Sequence, residues 1–228
     1  MIIALIVGFL LALTVIIIWL NYYLEARRRN AMSRVAARLG FEFLGPRFLK
    51  SLREGYPTRL VRGRLRITNV MTGQALGATL AIFDAISVTE GESRTRTVAG
   101  WRIHLPAFEM RRRAAGDRLN SFADEVRFDN HAEFSRRHFL RAPDTASVRA
   151  ALTPAVLDAL ARLDSPYAWA VESTGKWLFI YRDQRPELFS WASLVGTDWK
   201  VPPEGILSFV QEATGIAALF CGGAGGLP

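Results

Sequence analysis

The first 24 residues contain no Asp, Glu, Lys or Arg, and this constrains the chain more than any other feature. The run from Ile2 to Leu20 is interrupted only by Gly8 and Thr14. A helix over residues 2–23 would be about 33 Å long at 1.5 Å per residue, enough to cross a hydrocarbon core of about 30 Å. Trp19, Tyr22 and Tyr23 at its end suit an interfacial aromatic belt. A cleaved signal peptide needs a basic start, a shorter apolar core and a small-x-small cleavage site. Nothing basic precedes Ile2, and bulky Trp19, Leu20 and Tyr22 occupy the end. A buried core helix would carry one apolar stripe, whereas this segment is apolar all round. The reading is an uncleaved transmembrane anchor over residues 1–24.

Arginines set the expected orientation. Arg27, Arg28, Arg29, Arg34 and Arg38 follow the apolar run directly. The positive-inside rule then places the C-terminal side in the cytoplasm, with the anchor in the inner (plasma) membrane. Arg27, Arg28 and Arg29 are the expected juxtamembrane lipid contacts. A single cysteine, Cys221, excludes a disulfide framework and agrees with that compartment.

The formal charge of +8 belongs entirely to the part after the apolar segment. Of 29 basic residues only Lys50, Lys176 and Lys200 are lysine. Arginine forks suit phosphate and carboxylate groups. A basic domain beside an anionic leaflet is drawn to it by about 1 kcal/mol per nearby basic residue.

Residues 25–39 continue at helical spacing, with Met32, Val35, Ala36 and Leu39 between arginines, and Gly40 is the expected C′ residue. A plain spacer and a helix lying in the membrane interface both fit this stretch. From Phe41 to Leu140 the period becomes two. Residues 59–68 alternate, Met71-Thr72-Gly73-Gln74 reads as a turn, and residues 77–88 form a second strand with Leu80, Ile82 and Ile86 opposite Phe83. Residues 96–105 read as a third strand and 107–111 as an edge or bulged strand after Pro106. Residues 125–128 and 134–141 read as short strands. The expected sheet is a meander with one wet face.

Thr153-Pro154 is an N-cap followed by proline at N1, with Val156, Leu157, Leu160 and Leu163 as the helix stripe. Residues 167–172 and 177–181 form a hairpin, 187–195 a short helix, and 203–220 a last helix. Strands followed by helices predict an α+β fold: a transmembrane helix, then an antiparallel sheet domain with helices packed on one face. The expected division is a transmembrane anchor at 1–24, a basic juxtamembrane helix and linker at 25–45, the α+β cytoplasmic domain at 46–220, and a Gly-rich flexible tail at 221–228.

Leu39-Gly40-Phe41, Gly63 and Asn69, Phe83-Asp84, Leu105-Pro106 with Phe108-Glu109, and Leu152-Thr153-Pro154 give the chain a familiar pattern over residues 25–180. It resembles bacterial proteins of unknown function with a single N-terminal membrane anchor and a cytoplasmic α+β domain. The resemblance implies an anchored domain and supplies no catalytic residue.

No phosphate-cradling glycine loop, nucleophile elbow or His-Glu-x-x-His pattern occurs. His131 and His138 fall where strands are expected, so no metal or cofactor is implied. Asp84 interrupts an apolar strand face and is expected to be buried against an arginine. Arg62, Arg64 and Arg66 repeat at period two and point from one face, and Arg102 and His104 have the same alternation. Three like charges along one strand repel unless solvated or matched by anions. The four arginines Arg62, Arg64, Arg66 and Arg102 are the expected binding surface for anionic lipid head groups or an acidic protein partner. Nucleic acid ranks last, because no recognised binding module accompanies the charge. These features predict a membrane-anchored, non-enzymatic binding or scaffolding module whose first partner is the lipid bilayer. The competing expectation is an enzyme on a membrane-associated or phosphorylated substrate, clamping the anion with arginines beside Asp84 and His104.

Overall fold

The computed structural model describes residues 2–46, 50–55, 58–61, 64–89, 92–113, 124–163, 165, 167–183 and 198–223. One helix, α1, runs unbroken from Ile2 to Leu39. Its N-terminal part is long and apolar enough to cross a membrane, and none of that apolar window is buried. Gly40, at φ 70°, ends it. The amide of Gly40 donates to the Ala37 carbonyl (3.2 Å) and that of Phe41 to the Ala36 carbonyl (2.8 Å). This is a Schellman cap, in which a left-handed C′ glycine satisfies the last carbonyls.

The stretch that fits a spacer or an interfacial helix by sequence is neither. Met32, Val35 and Ala36 are buried in the main core. The helix then turns directly into β1 (Glu42–Gly45), which pairs with β2 (Arg64–Ala75). Gly73 makes room for this entry, since a side chain there would overlap the Phe41 ring.

The sheet also contains β3 (Ala78–Thr89), β4 (Glu92–Trp101), β5 (Phe108–Arg112), β6 (His138–Arg141), β7 (Ala168–Ser173) and β8 (Leu178–Asp183). Its order is β1-β2-β3-β4-β8-β7-β5-β6, with antiparallel neighbours throughout. A two-residue strand, β9 (Asp198–Trp199), pairs parallel with β4. The expected meander is therefore interrupted: the β7–β8 hairpin sits in the middle of the sheet. Every residue of β7 is buried, as are the first four of β8, which is how a strand covered on both faces reads. For the same reason β5 is an inner strand between β7 and β6, not an edge.

Residues 71–74 are strand, not turn; the chain reverses at Leu76-Gly77, both left-handed. The misleading signal is a bulge. Asn69 (φ 53°) shifts the register between Thr68 and Met71, so Leu65 and Ile67 face one side while Met71 faces the other. Asn tolerates the left-handed region better than other side chains with a Cβ.

Helices α2 (Ala132–Arg137), α3 (Thr145–Ala151), α4 (Pro154–Ala161) and α5 (Ile206–Gly223) join the second half of α1 over one face. α2 replaces the first half of the strand expected at 134–141, and only Glu125 of residues 125–128 makes a bridge, to Arg141. Thr153 caps α4 from its side chain, with Pro154 at N1. Val156, Leu157 and Leu160 are buried, whereas Leu163 lies beyond the helix and is exposed. The helix expected at 187–195 and the tail after Gly223 lie outside the described residues.

The other face is not wet. Leu52, Leu60 and Val61, from the segment before β2, close over Leu65, Phe83, Phe179 and Tyr181 as a second core. Glu172 holds this cover in place. It accepts from the Leu60 amide (2.8 Å) and from the Tyr181 hydroxyl. Burial, then the Glu172 charge, raises the Tyr181 pKa well above its usual range. The Arg96 guanidinium lies 4.6 Å over the Tyr181 ring.

Candidate membrane-proximal site

The best-defined polar cluster joins the apolar helix to the sheet. Asp84 is fully buried and accepts four hydrogen bonds. Arg28 of α1 grips it as a fork, Nε to Oδ2 and Nη2 to Oδ1, each 2.7 Å. Asn69 Nδ2 donates to Oδ2 (2.8 Å) and Thr97 Oγ1 to Oδ1 (2.9 Å). A third arginine nitrogen, Nη1, donates to the Val201 carbonyl (2.9 Å), and the Val201 amide donates to Thr97 Oγ1 (3.0 Å). The expected ion pair at Asp84 is thus present. Its partner is a residue expected at the lipid surface. Arg28 is turned inward, with 15% of its side chain exposed, while Arg27 and Arg29 are exposed. A carboxylate with this many donors would be a costly buried charge without the arginine.

The junction also fixes direction. Arg28 meets the sheet at Asp84, and eleven residues later the chain caps and enters β1 beside Gly73, which pairs with Leu80. α1 therefore runs along the strands, and its apolar half continues past the end of the sheet that holds Ile86 and Val88. On this end Arg66 pairs with Ile86, Arg64 with Val88, and Thr68 with Asp84. Residues paired across strands share a face. Arg64 and Arg66 consequently lie on the face that carries α1, beyond its packed half, and both are exposed. Arg62 lies outside the described residues.

Arg102 does not join them. It is exposed, and its amide donates to the Thr79 carbonyl (2.9 Å). From Thr79 to Val88, opposite Arg64, is nine residues, about 30 Å of strand. His104 is exposed at that same far end, and Asp84 is saturated, so the Asp84–His104 pocket of the enzyme expectation is not assembled. Among the described residues no three His, Cys, Asp or Glu side chains group as metal ligands. His138, half-buried and stacked on Phe134 (4.9 Å), has its pKa lowered to about 4 by burial and, more weakly, by Arg137 and Arg112. His131 meets Asp158 (3.0 Å).

No family model matches the chain, and no curated protein does. Among solved structures, the crystal structure of the mycobacterial trehalose monomycolate transport factor A, TtfA, is similar at a TM-score of 0.48 and 15% identity. The similarity spans 85% of this chain and 94% of that one. It is too slight to carry a residue or a role across.

Proposed function

We propose that the chain is a single-pass, membrane-anchored binding or scaffolding module with its α+β domain on the cytoplasmic face of the inner membrane. The basic end of its sheet meets anionic lipid, or an acidic protein docked at the membrane. The observation that carries this is the unbroken helix. α1 passes from an apolar, exposed half into a half that is part of the domain core, and Arg28–Asp84 fixes the two together. A domain held this way has a set orientation to the bilayer and a high effective concentration at its surface.

Depth supports the choice of surface. Leu24, the last residue of the apolar run, is about 6 Å along the axis from Arg28. Thr89 is about 17 Å along the strand from Asp84. Only a crossing angle above about 70° would keep the strand end short of Leu24. The β3–β4 end, with Arg64 and Arg66 beside it, therefore reaches the head-group layer.

Flotation of residues 25–228 with liposomes tests the reading. That fragment keeps Arg28, Met32, Val35 and Ala36, which a cut at residue 45 would remove. Binding is expected to anionic but not neutral vesicles, and to weaken with salt. Changing Arg64 and Arg66 together to Ser is expected to weaken it by about 2 kcal/mol, roughly thirtyfold. Equal flotation with neutral and anionic vesicles would sink the basic end as a lipid surface.

A further inference from the structure

A cleft of about 470 Å³ runs along α1 from Leu24, between the helix and Pro203-Glu204 at the start of the last helical segment. Arg28 builds its far wall by holding the Val201 carbonyl (2.9 Å), and so is committed to the frame. Arg27, Arg34 and Arg38 line the cleft from one helical face, and the exposed guanidinium-bearing side chains of all three have no acceptor among the described residues. Spacings of seven and four residues put them one above another on α1. Three unmatched like charges so aligned repel one another, and an anion between them removes that repulsion.

Their heights select the ligand. The polar layer of a leaflet is about 5–8 Å deep. Arg27 lies within it, about 4–5 Å above Leu24, whereas Arg34 and Arg38 lie about 15 and 21 Å above. A short phosphodiester head group reaches the first arginine and not the others. Glu204, on the facing wall, accepts hydroxyl donors, which a sugar or polyol ring supplies and a bare phosphate lacks.

We propose that this cleft binds a lipid with an extended, hydroxylated head group bearing a second anionic centre. The phosphodiester sits at Arg27 and the outer anion between Arg34 and Arg38. The inference rests on α1 spanning the membrane, as proposed above, and names a ligand class and a site separate from Arg64 and Arg66.

The test uses the full chain in nanodiscs containing equal parts of phosphatidylglycerol, phosphatidylinositol and phosphatidylinositol monophosphate in neutral lipid. Retained lipids are counted by native mass spectrometry. The monophosphate is expected to be retained at least about tenfold over phosphatidylglycerol, the worth of one or more charge-assisted contacts. Arg34→Ser with Arg38→Ser should abolish that preference, while Arg162→Ser, at the exposed C-terminal end of α4, leaves it unchanged. All three residues are exposed, and circular dichroism confirms that each variant folds. Equal retention of all three lipids, or a preference that survives the Arg34 and Arg38 changes, overturns the proposal. Displacement of the lipid by free inositol bisphosphate at matched concentration overturns its lipid part and points to a soluble phosphate. Failure of the chain to enter nanodiscs refutes the membrane-span reading instead, so the two failures are distinct.

Discussion

Between Ile6 and Leu24 every residue of α1 is exposed, whereas from Arg28 to Leu39 the same helix buries Met32, Val35 and Ala36 and clamps Arg28 onto Asp84. The upper half is apolar all round, and among the described residues none of it is buried. The lower half carries more arginine and yet is the half inside the core. Hydrophobicity alone would assign them the opposite way. The difference teaches that what buries a helix is a matching partner: an apolar stripe facing Leu80 and Ile82, and a carboxylate waiting for the one inward arginine.

The strongest way to break this comparison is to cut the helix at two places. Removing residues 1–24 leaves both cores intact, and cooperative unfolding in urea is expected to persist. Removing residues 1–39 takes away Met32, Val35 and Ala36 and strands Asp84 as a buried charge. Burial of a Met or Val is worth about 1.5–3 kcal/mol each and an orphaned buried charge costs about 3–5 kcal/mol. Together these approach the whole stability of a typical domain, about 5–15 kcal/mol. The shorter fragment is expected to lack a cooperative transition; a normal one would mean the lower half is dispensable.

Within the folded fragment, Asp84→Ala should cost about 3–5 kcal/mol, because Arg28 is left buried without its partner. Replacing both, Arg28→Met with Asp84→Leu, should recover most of that, since apolar residues of similar volume often match a buried ion pair. Chemical denaturation of Arg28→Met, Asp84→Leu and the double variant reads the coupling directly. Additive effects would show that the pair does not act as a unit.

How much of this was readable beforehand differs along the chain. The apolar helix, its Gly40 cap, the strand at 78–89, the Thr153-Pro154 start and the β7–β8 hairpin all follow from local chemistry that tertiary context only confirms. Burial and pairing of Asp84 were legible too, because a carboxylate among Leu80, Ile82 and Ile86 needs a cation. Which arginine supplies it was not, since Arg28 and Asp84 are joined only by the fold. The bulge at Asn69 inverts the alternation mid-strand and mimics a turn at Met71. The buried runs of β7 and β8 already signal central strands, a sign that a simple meander passes over. α2 and α3 are six and seven residues long, too short for periodicity to declare. The groove at Arg34 and Arg38 has no sequence motif, because its second wall comes from Pro203-Glu204.

Acid sharpens the comparison from the domain side, since the apolar half has no group that titrates there. His138 packs on Phe134 under the helices, and burial lowers its pKa from 6.5 to about 4. The unfolded chain binds a proton near its ordinary pKa, while the folded chain resists until about 4. Stability from this group is thus present above pH 6.5 and falls as pH drops toward 4, by up to about 3 kcal/mol. His138→Phe should flatten that slope in urea midpoints measured across the window. An unchanged slope would assign the acid sensitivity to carboxylates.

The smallest effects come from two glycines, one within α1 and one that caps it. Gly40 holds φ 70°, so an alanine there must adopt a left-handed conformation or undo the cap that aims β1 at β2. Gly40→Ala is expected to cost about 1–2 kcal/mol in the 25–228 fragment. Gly8 is ordinary helix with nothing within 4 Å of an added methyl. Gly8→Ala in the full chain should leave the domain's unfolding midpoint where it was, because an added methyl there meets nothing and does not share the domain's packing. A shift at Gly8 comparable to that at Gly40 would mean that the upper half is coupled to the domain through more than the rigid continuity of the helix.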